Sequence, residues 1–337
     1  MRQRKSLIFV SSILFLISLK NSSASPVIGT SAAWKNSSSS DVTNENITKP
    51  EEYRDVISYE DGFLAVGSDG RIDRISKTGK ITRSEKFPGE EFNCILSYNQ
   101  MIIVAGVKGS ILISSNKGPF KKVDSGSDNN INSLVFFKDK IIAGTDRGEI
   151  LIGDEKDQFK KIQLDLKGNI VSLSARTSDC YGVTYEGEII HTIDGIKWTV
   201  FDFNKVYEGF YKPCHFTKVL ATEKQIAICG KQNDGLPVLI FSNRGTVWSE
   251  RTLSYTDDQG FLSYLEETPN DLFYDFSGDR FILVCNNGKV MIIPSCSHCN
   301  KLFEFSDEDI KSISGNENSL IIVGENNYIK TINIEFF

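Results

Sequence analysis

A glycine-bearing turn recurs along this chain at a fixed interval, and that interval limits what the chain can fold into. Each copy lies between two short runs rich in β-branched residues, as between Met101–Ala105 and Ser110–Ile113, which is the pattern of a β-hairpin. Glycine suits such a turn because positive φ costs other residues more. The turn residues are Gly70, Gly109, Gly148, Gly187, Gly235, Gly288 and Asn327. The first four are spaced by 39 residues, and so are the last two.

A period near forty residues, with four short strands in each unit and no helical periodicity, is typical of a β-propeller. One unit cannot bury both faces of its sheet, so neighbouring units must stack, and closing the ring protects the edge strands. The sequence therefore predicts an all-β fold, a seven-bladed β-propeller of four-stranded blades over residues 53–337. The length of 337 residues alone would suggest two domains, but the repeat is stronger evidence and indicates one ring.

Residues 1–24 have the pattern of a secretory signal peptide. Basic residues precede the apolar run Leu7–Leu19, and small residues lead up to a cleavage site after Ala24. The alternative is an uncleaved membrane anchor, but the run is shorter than the ~20 residues that a membrane span needs. We therefore expect an extracytoplasmic protein, secreted or periplasmic, with no membrane span once the signal peptide is removed.

Residues 25–52 are predicted to supply the strand that closes the ring, followed by a polar linker. The seventh unit lacks an outer strand, and ring closure commonly borrows that strand from the other terminus. The segment Val27–Lys35, which includes Trp34, resembles the outer strands that begin at Trp198 and Trp248. We expect it to complete the seventh blade.

The period lengthens between the fourth and sixth turns. The extra residues fall in three candidate loops, Asp202–Pro213, Lys231–Pro237 and Tyr255–Phe273. The first and third connect an outer strand with the next inner strand, and the second connects the two middle strands. Both kinds of loop emerge on the same face of an up-and-down propeller, and insertions collected on one face usually mark the binding face.

Aromatic and acidic side chains in these loops are the candidate binding residues, because flat rings bury area while presenting a polar edge. The alternative is that the rings only hold the loops against the propeller. The predicted binding residues are Tyr207, Phe210, Tyr211, His215, Tyr264, Glu266 and Glu267. The prediction also places Asp271 in the third loop.

No pattern in the chain identifies a catalytic or metal site. Glu266 and Glu267 could supply half of a carboxylate pair for glycoside hydrolysis, but adjacent glutamates mean little among 44 acidic residues. Cys296 and Cys299 could form a local disulfide in an exported protein, remain free thiols, or supply half of a zinc or redox site. The other five cysteines are expected to be small buried residues. No metal, cofactor or catalytic residue is predicted.

The charge of the chain narrows the classes of partner. The net charge is −6. Removal of residues 1–24 makes it more negative, because all the charged residues of that segment are basic. An acidic chain without a basic stripe argues against nucleic acid and anionic membranes as partners.

Turns between the third and fourth strands of several units resemble degenerate Asp boxes, the S-x-D-x-G-x-x-W turn of sialidase-type propellers. The copies are Asp194–Trp198, Asn243–Trp248 and Ser114–Phe120. Together with the repeat, they make the chain similar to the Asp-box (BNR-like) propellers, which include sialidases, sortilin-type ectodomains and photosystem II assembly-factor-like proteins. Such boxes mark turns and not an active site. The arginine triad of sialidases has no counterpart, so sialidase activity is not implied.

The sequence thus predicts a secreted, non-catalytic propeller that binds a protein or a glycan through the face bearing the inserted loops. One alternative is a glycan-active enzyme, hydrolase or lyase, which would bring carboxylates and a tyrosine together at the central mouth. A second alternative is a structural assembly factor that uses the side of the ring. The identity of the partner and the oligomeric state stay open.

Overall fold

In the computed structural model, residues 51–154, 159–295, 300–316 and 318–337 are described, and they form a seven-bladed β-propeller. Each blade is an antiparallel sheet whose strands follow chain order from the central axis outward. The predicted fold is therefore confirmed. The predicted signal peptide, the closing segment Val27–Lys35, and Cys296 with Cys299 lie outside the described residues.

The blades have the following strands. Blade 1 contains β1 (Tyr53–Tyr59), β2 (Gly62–Gly67), β3 (Arg71–Ile75) and β4 (Ile81–Lys86). Blade 2 contains β5 (Phe92–Tyr98), β6 (Met101–Gly106), β7 (Ile111–Ser115) and β8 (Lys121–Val123). Blade 3 contains β9 (Ile131–Phe137), β10 (Lys140–Thr145), β11 (Glu149–Gly153) and β12 (Lys160–Gln163). Blade 4 contains β13 (Ile170–Ala175), β14 (Cys180–Thr184), β15 (Glu188–Thr192) and β16 (Thr199–Asp202).

After blade 4 comes the short helix α1 (Phe203–Val206). Blade 5 contains β17 (Cys214–Ala221), β18 (Ile226–Gln232), β19 (Pro237–Ser242) and β20 (Ser249–Glu250). A separate hairpin of β21 (Ser254–Thr256) and β22 (Leu262–Tyr264) follows. Blade 6 contains β23 (Pro269–Asp275), β24 (Arg280–Cys285), β25 (Lys289–Pro294) and β26 (Lys301–Glu304). Blade 7 contains β27 (Ile310–Gly315), β28 (Ser319–Gly324) and β29 (Ile329–Asn333). Three single 3₁₀ turns lie at Ser68–Gly70, Val107–Gly109 and Ile334–Phe336.

Burial falls from the middle of each blade to its outer edge. All residues of β2 and β14 are buried, whereas almost all of β4 is exposed. The middle strands are continuous apolar runs because both of their faces pack on neighbouring blades. At the junction of blades 7 and 1, Phe63 of β2 and Ile321 of β28 belong to one apolar cluster. The ring is therefore closed by packing between its first and last blades.

The seven turn residues that define the repeat all have positive φ, between +59° and +89°. This confirms the role assigned to glycine at these positions, and Asn327 adopts the same conformation at φ +59°. At Gly109, a Cβ atom would lie 1.8 Å from the carbonyl oxygen of Ser127. The turn therefore excludes a side chain for reasons of space as well as of backbone conformation.

Each innermost strand carries one β-bulge at the same place in all seven blades. The bulged residues are Arg54, Asn93, Asn132, Val171, Thr217, Asn270 and Lys311. A bulge turns the strand and re-aims its side chains. In blades 2, 3, 5 and 6 the bulged residue is an asparagine or a threonine whose side chain points at the next blade.

These side chains hydrogen-bond to the backbone of the next blade. The amide of Asn132 donates to the carbonyl of Ile170 at 3.0 Å, and Asn270 donates to the carbonyl of Ile310 at 2.8 Å. The residue after the bulge accepts in turn, since Ser133 Oγ receives the N–H of Leu173 at 2.9 Å. Neighbouring inner strands are thus held together by directed polar bonds.

Two turns that resemble Asp boxes have well-defined hydrogen bonds. Asp194 Oδ1 accepts the backbone N–H groups of Ile196 and Lys197, both at 2.8 Å, and these bonds lower the pKa of Asp194. In the second turn, Gly245 donates its N–H to Ser242 Oγ at 2.8 Å. Both segments are turns between third and fourth strands, and the family resemblance itself stays a prediction.

The five cysteines in the described residues are buried free thiols, as expected from the sequence. Burial raises the pKa of the Cys214 and Cys229 thiols to about 12.

None of the helices in the described ranges is long and apolar enough to cross a membrane.

Replacement of Asn132 by alanine should lower the free energy of unfolding by about 1 kcal/mol, because the buried carbonyl of Ile170 would lose its donor. Urea denaturation of the full chain measures this change. Asn243→Ala, at an exposed position, is the matched control and should change stability by less than about 0.5 kcal/mol. Equal effects of the two substitutions would contradict the proposed role of the bulge.

Candidate binding face

Two of the three inserted loops meet on one face of the ring. The backbone N–H of Asn233, in the β18–β19 loop, donates to the carbonyl of Pro213, in the connection from β16 to β17, at 2.9 Å. The side chains of Lys212 and Asp234 form an ion pair between the same loops. We call the surface formed by the middle-strand loops and the outer-to-inner connections the loop face.

The β16–β17 connection is held in one conformation by its own polar groups. Asp202 caps α1 by accepting the N–H of Lys205 at 3.0 Å. Asn204 receives the N–H of Cys214 at 2.7 Å and donates to the carbonyls of Cys214 and Glu186 at 3.0 and 2.8 Å. Through these three hydrogen bonds, the side chain of Asn204 holds the backbone of the connection in place.

Tyr207 and Tyr211 are half-buried, and their rings pack against the apolar core of blade 5. Their rings lie 4.7 and 5.6 Å from the buried ring of Phe203. The hydroxyl oxygen of Tyr207 accepts the backbone N–H of Trp248 at 3.0 Å. These two tyrosines therefore anchor the loop, which is the alternative role that the sequence left open.

His215 lies in strand β17 and is not part of a loop. Its ring stacks on that of Tyr185 at 4.5 Å, and Nδ1 lies 3.1 Å from the carbonyl oxygen of Tyr185. The ring is half-buried. His215 joins blade 5 to the β14–β15 turn of blade 4.

Three apolar side chains remain exposed on these anchored loops. Phe210 is 83% exposed, Val206 57% and Leu236 52%. Phe210 was among the predicted binding residues, whereas Val206 and Leu236 were missed because isolated aliphatic residues in loops are common. Exposed apolar side chains on a fixed backbone are typical of an interaction surface.

The third insertion follows a different path from the first two. Its β21–β22 hairpin lies beside β26, the outer strand of blade 6, where the Asn300 amide donates to the carbonyl of Ser254 at 2.9 Å. Leu253 and Leu265 at the base of the hairpin are buried. Tyr264 is exposed, as are the neighbouring Phe261 and Leu262.

The acidic residues predicted in this insertion differ in exposure and in location. Glu266 is exposed and Glu267 half-buried in the connection to blade 6. Asp271 was predicted to lie in the loop, and that placement is wrong: it lies in the innermost strand β23 and is 2% exposed. The inner strand of blade 6 begins at Pro269, earlier than the sequence pattern indicated, because the proline occupies the first position of the strand, where its missing N–H is tolerated.

The central channel contains a network of charged side chains that the sequence did not reveal. Lys218 Nζ lies 2.9 Å from Asp271 Oδ1. The hydroxyl of Ser312 lies 2.8 Å from Asp271 Oδ2 and 3.0 Å from Asp55 Oδ1. The network joins blades 5, 6, 7 and 1 across a cavity of about 380 Å³. Alignment of the residues that follow each bulge would have found it.

The two ionisable ends of this network are shifted in the same direction. Burial raises the pKa of Asp55, and the negative charge of Asp271 adds to that effect. Burial acts to lower the pKa of Lys218, but the carboxylates of Asp271 and Asp55 outweigh it, so the pKa lies above its usual value. Lys218 is therefore a protonated ammonium and not an amine nucleophile at neutral pH.

The loop face is rich in acidic side chains. Acidic pairs or triplets occur at Glu51–Glu52, Glu90–Glu91, Glu266–Glu267 and Asp307–Asp309. The basic residues of the same loops are fewer: Lys108, Arg147, Lys167, Lys205, Lys212 and Arg251. Two of these, Lys167 and Lys212, are already paired with aspartates. Several of the acidic side chains are paired as well: Glu51 with Arg71, Glu52 and Glu91 with Arg54, Glu90 with Lys122, and Asp309 with Lys311 of the adjoining strands. The loops of this face thus hold more acidic than basic residues, and part of that excess is balanced by cations on the strands.

Metal ligands are not grouped in the described part of the chain. No set of three or more histidine, cysteine, aspartate or glutamate side chains there could hold a metal ion. The carboxylates of the channel are instead occupied by Lys218 and by backbone N–H groups, such as that of Ile313 at 3.1 Å from Asp271.

Comparison with known proteins supports the fold and no more. The chain matches the crystal structure of the WD40 β-propeller domain of Doa1 with a TM-score of 0.63 and 13% identity, covering 83% of this chain and 92% of that one. It also matches the computationally designed Ika8 protein with a TM-score of 0.59 and 11% identity, covering 85% and 97% of the two chains. No family model and no curated protein sequence matches the chain.

Tyr207 and Phe210 should respond differently to substitution. Tyr207→Ala should lower the free energy of unfolding by about 2 kcal/mol, because it removes a half-buried ring. Tyr207→Phe should cost about 1 kcal/mol through loss of the acceptor for Trp248. Phe210→Ala should stay within about 0.5 kcal/mol of the unchanged protein. Urea denaturation tests all three, and a large effect of Phe210→Ala would show that this ring is not free.

The stability of the protein should fall as Asp55 ionises. Its pKa in the folded state is raised, so its neutral form favours folding below the ordinary carboxyl pKa of about 4, and that contribution is lost as the pH rises through the raised value. Asp55→Asn should therefore gain stability relative to the unchanged protein as the pH increases from 4. Thermal melts across pH 4–8 measure the difference, with the exposed Asp61→Asn as control. Parallel curves for all three proteins would disprove the assignment.

Proposed function

We propose that this protein is an exported, non-catalytic propeller that binds a partner protein through its loop face. The observation that carries the proposal is the exposure of three apolar side chains on fixed loops. Val206 and Phe210 lie on the connection held by Asn204 and Tyr207. Leu236 lies on the β18–β19 loop, which is joined to that connection by the Lys212–Asp234 ion pair. A fixed backbone lowers the entropic cost of binding, so exposed apolar side chains can contribute most of their burial to affinity.

The acidic surroundings favour a partner segment that carries basic residues around an apolar anchor. Complementary charge would speed the encounter and orient the partner, while the apolar side chains would supply the short-range contact. The similarity in fold to the WD40 domain of Doa1 is compatible with a binding role. Export rests on the signal-peptide pattern of residues 1–24.

Phe210→Asp/Leu236→Asp should abolish capture of the partner without loss of the fold, because both side chains are exposed. The unchanged protein and the variant are immobilised and incubated with proteins of the source organism, and bound proteins are quantified by mass spectrometry. Candidate partners are then purified and titrated by calorimetry at two salt concentrations. Binding should weaken at the higher concentration.

The matched control is Phe276→Asp/Val247→Asp. Both residues are as exposed as the tested pair but lie in connections on the opposite face. Equal capture by all three proteins would refute a role for the loop face. Loss of binding only in the control variant would move the interaction surface to the opposite face.

A further inference from the structure

A second surface, remote from the loop face, has a different character. On the opposite face, a cavity of about 570 Å³ lies between the outer part of blade 3 and the β15–β16 turn of blade 4. Its apolar lining consists of Phe137, Ile142, Ile152, Ile162 and Ile196. Ile196 is 64% exposed at its edge.

Four lysines surround this cavity, which we call the lysine-rimmed pocket: Lys138, Lys140, Lys160 and Lys161. Lys140 pairs with Asp154 at 3.0 Å and Lys161 with Glu149 at 3.1 Å. Within the described ranges, neither Lys138 nor Lys160 forms an ion pair. Both are exposed at the rim, where Lys138 Nζ lies 5.6 Å from the centre of the Phe137 ring. The lining also contains the carboxylate of Asp194, whose Oδ1 accepts two backbone N–H groups. Two ammonium groups without a carboxylate partner among the described residues therefore lie beside an apolar floor.

The equivalent pocket between blades 1 and 2 is built differently. It measures about 350 Å³ and is lined by Arg74, Arg83 and Lys117. The carboxylate of Glu60 forms ion pairs with both Arg74 and Lys117, and Glu85 forms one with Arg83. Its charges are thus neutralised from within. The repeat architecture alone therefore produces neither the size nor the free positive charge of the lysine-rimmed pocket.

The wall of the pocket formed by blade 4 is preformed. Asp194 fixes the turn by accepting two backbone N–H groups, and Gly195 lies over the side chain of Ile142 with φ +76°. A Cβ atom at Gly195 would lie 3.3 Å from the terminal methyl of Ile142. The cavity thus exists before any ligand enters.

We propose that the lysine-rimmed pocket binds a small anionic amphiphile, an aliphatic chain with a carboxylate head. The carboxylate of the ligand would lie between Lys138 and Lys160, and its aliphatic chain would pack against the isoleucine-rich lining. The volume lies in the range of small-molecule sites, roughly 300–1,000 Å³. A single apolar side chain of a peptide would leave most of the cavity empty, and an unfilled apolar cavity forfeits contacts.

Calorimetric titration of the full chain with dodecanoate, below its micelle concentration, tests the proposal. Saturable binding of one dodecanoate and a rise in melting temperature are expected. Lys138→Glu/Lys160→Glu should weaken the affinity by about tenfold, since it replaces two exposed positive charges beside the carboxylate with negative ones. Ile196→Glu should weaken binding as well. Lys77→Glu/Lys80→Glu, at exposed lysines of the β3–β4 turn, should leave it unchanged.

Dodecyltrimethylammonium is the charge-reversed probe and should not bind at this site. Non-saturable heat with a falling melting temperature would show detergent-like unfolding and overturn the proposal. Equal dodecanoate affinity of all variants would overturn it too. Tighter binding of an acidic leucine-containing peptide than of dodecanoate, lost in the Lys138→Glu/Lys160→Glu variant, would replace the amphiphile with a protein partner. These outcomes are independent of capture at the loop face.

Discussion

The apolar character of both faces of every blade is the constraint on which the rest of this structure depends. Strands such as β2 and β14 have no exposed residue, so a single blade in water would leave two apolar faces unburied. Stacking buries each face against a neighbour, and the last blade must then pack on the first. Val323 of β28 and Tyr53 of β1 share one cluster for this reason.

Apolar packing alone does not set the positions of the blades, because it is non-directional. The bulge in the inner strands adds that direction in blades 2, 3, 5 and 6. There it aims a polar side chain at a backbone carbonyl of the next blade, as between Asn270 and Ile310. Around the axis the same arrangement produces a polar channel, and Lys218, Asp271, Ser312 and Asp55 span four blades within it.

The two faces of the ring carry different chemistry on the same scaffold. On the loop face, half-buried tyrosines anchor the connection on which Phe210 remains exposed. On the opposite face, a turn of blade 4 completes an apolar cavity whose rim includes Lys138 and Lys160, which form no ion pair with another described residue. The two surfaces consist of different residues, so substitutions can alter each of them separately.

The sequence by itself determined the number of blades, the turns and the places of insertion, because these follow from local periodicity. Positive φ at Gly70 or Asn327 is a requirement of a few consecutive residues, so it leaves a signal in the chain. Only the tertiary structure decided that Tyr207 is an anchor, that Asp271 faces the channel, and that Lys138 borders a pocket completed by blade 4. Those roles depend on contacts between side chains of different units. The repeat predicts which blades are neighbours, but it does not record which of their side chains come into contact.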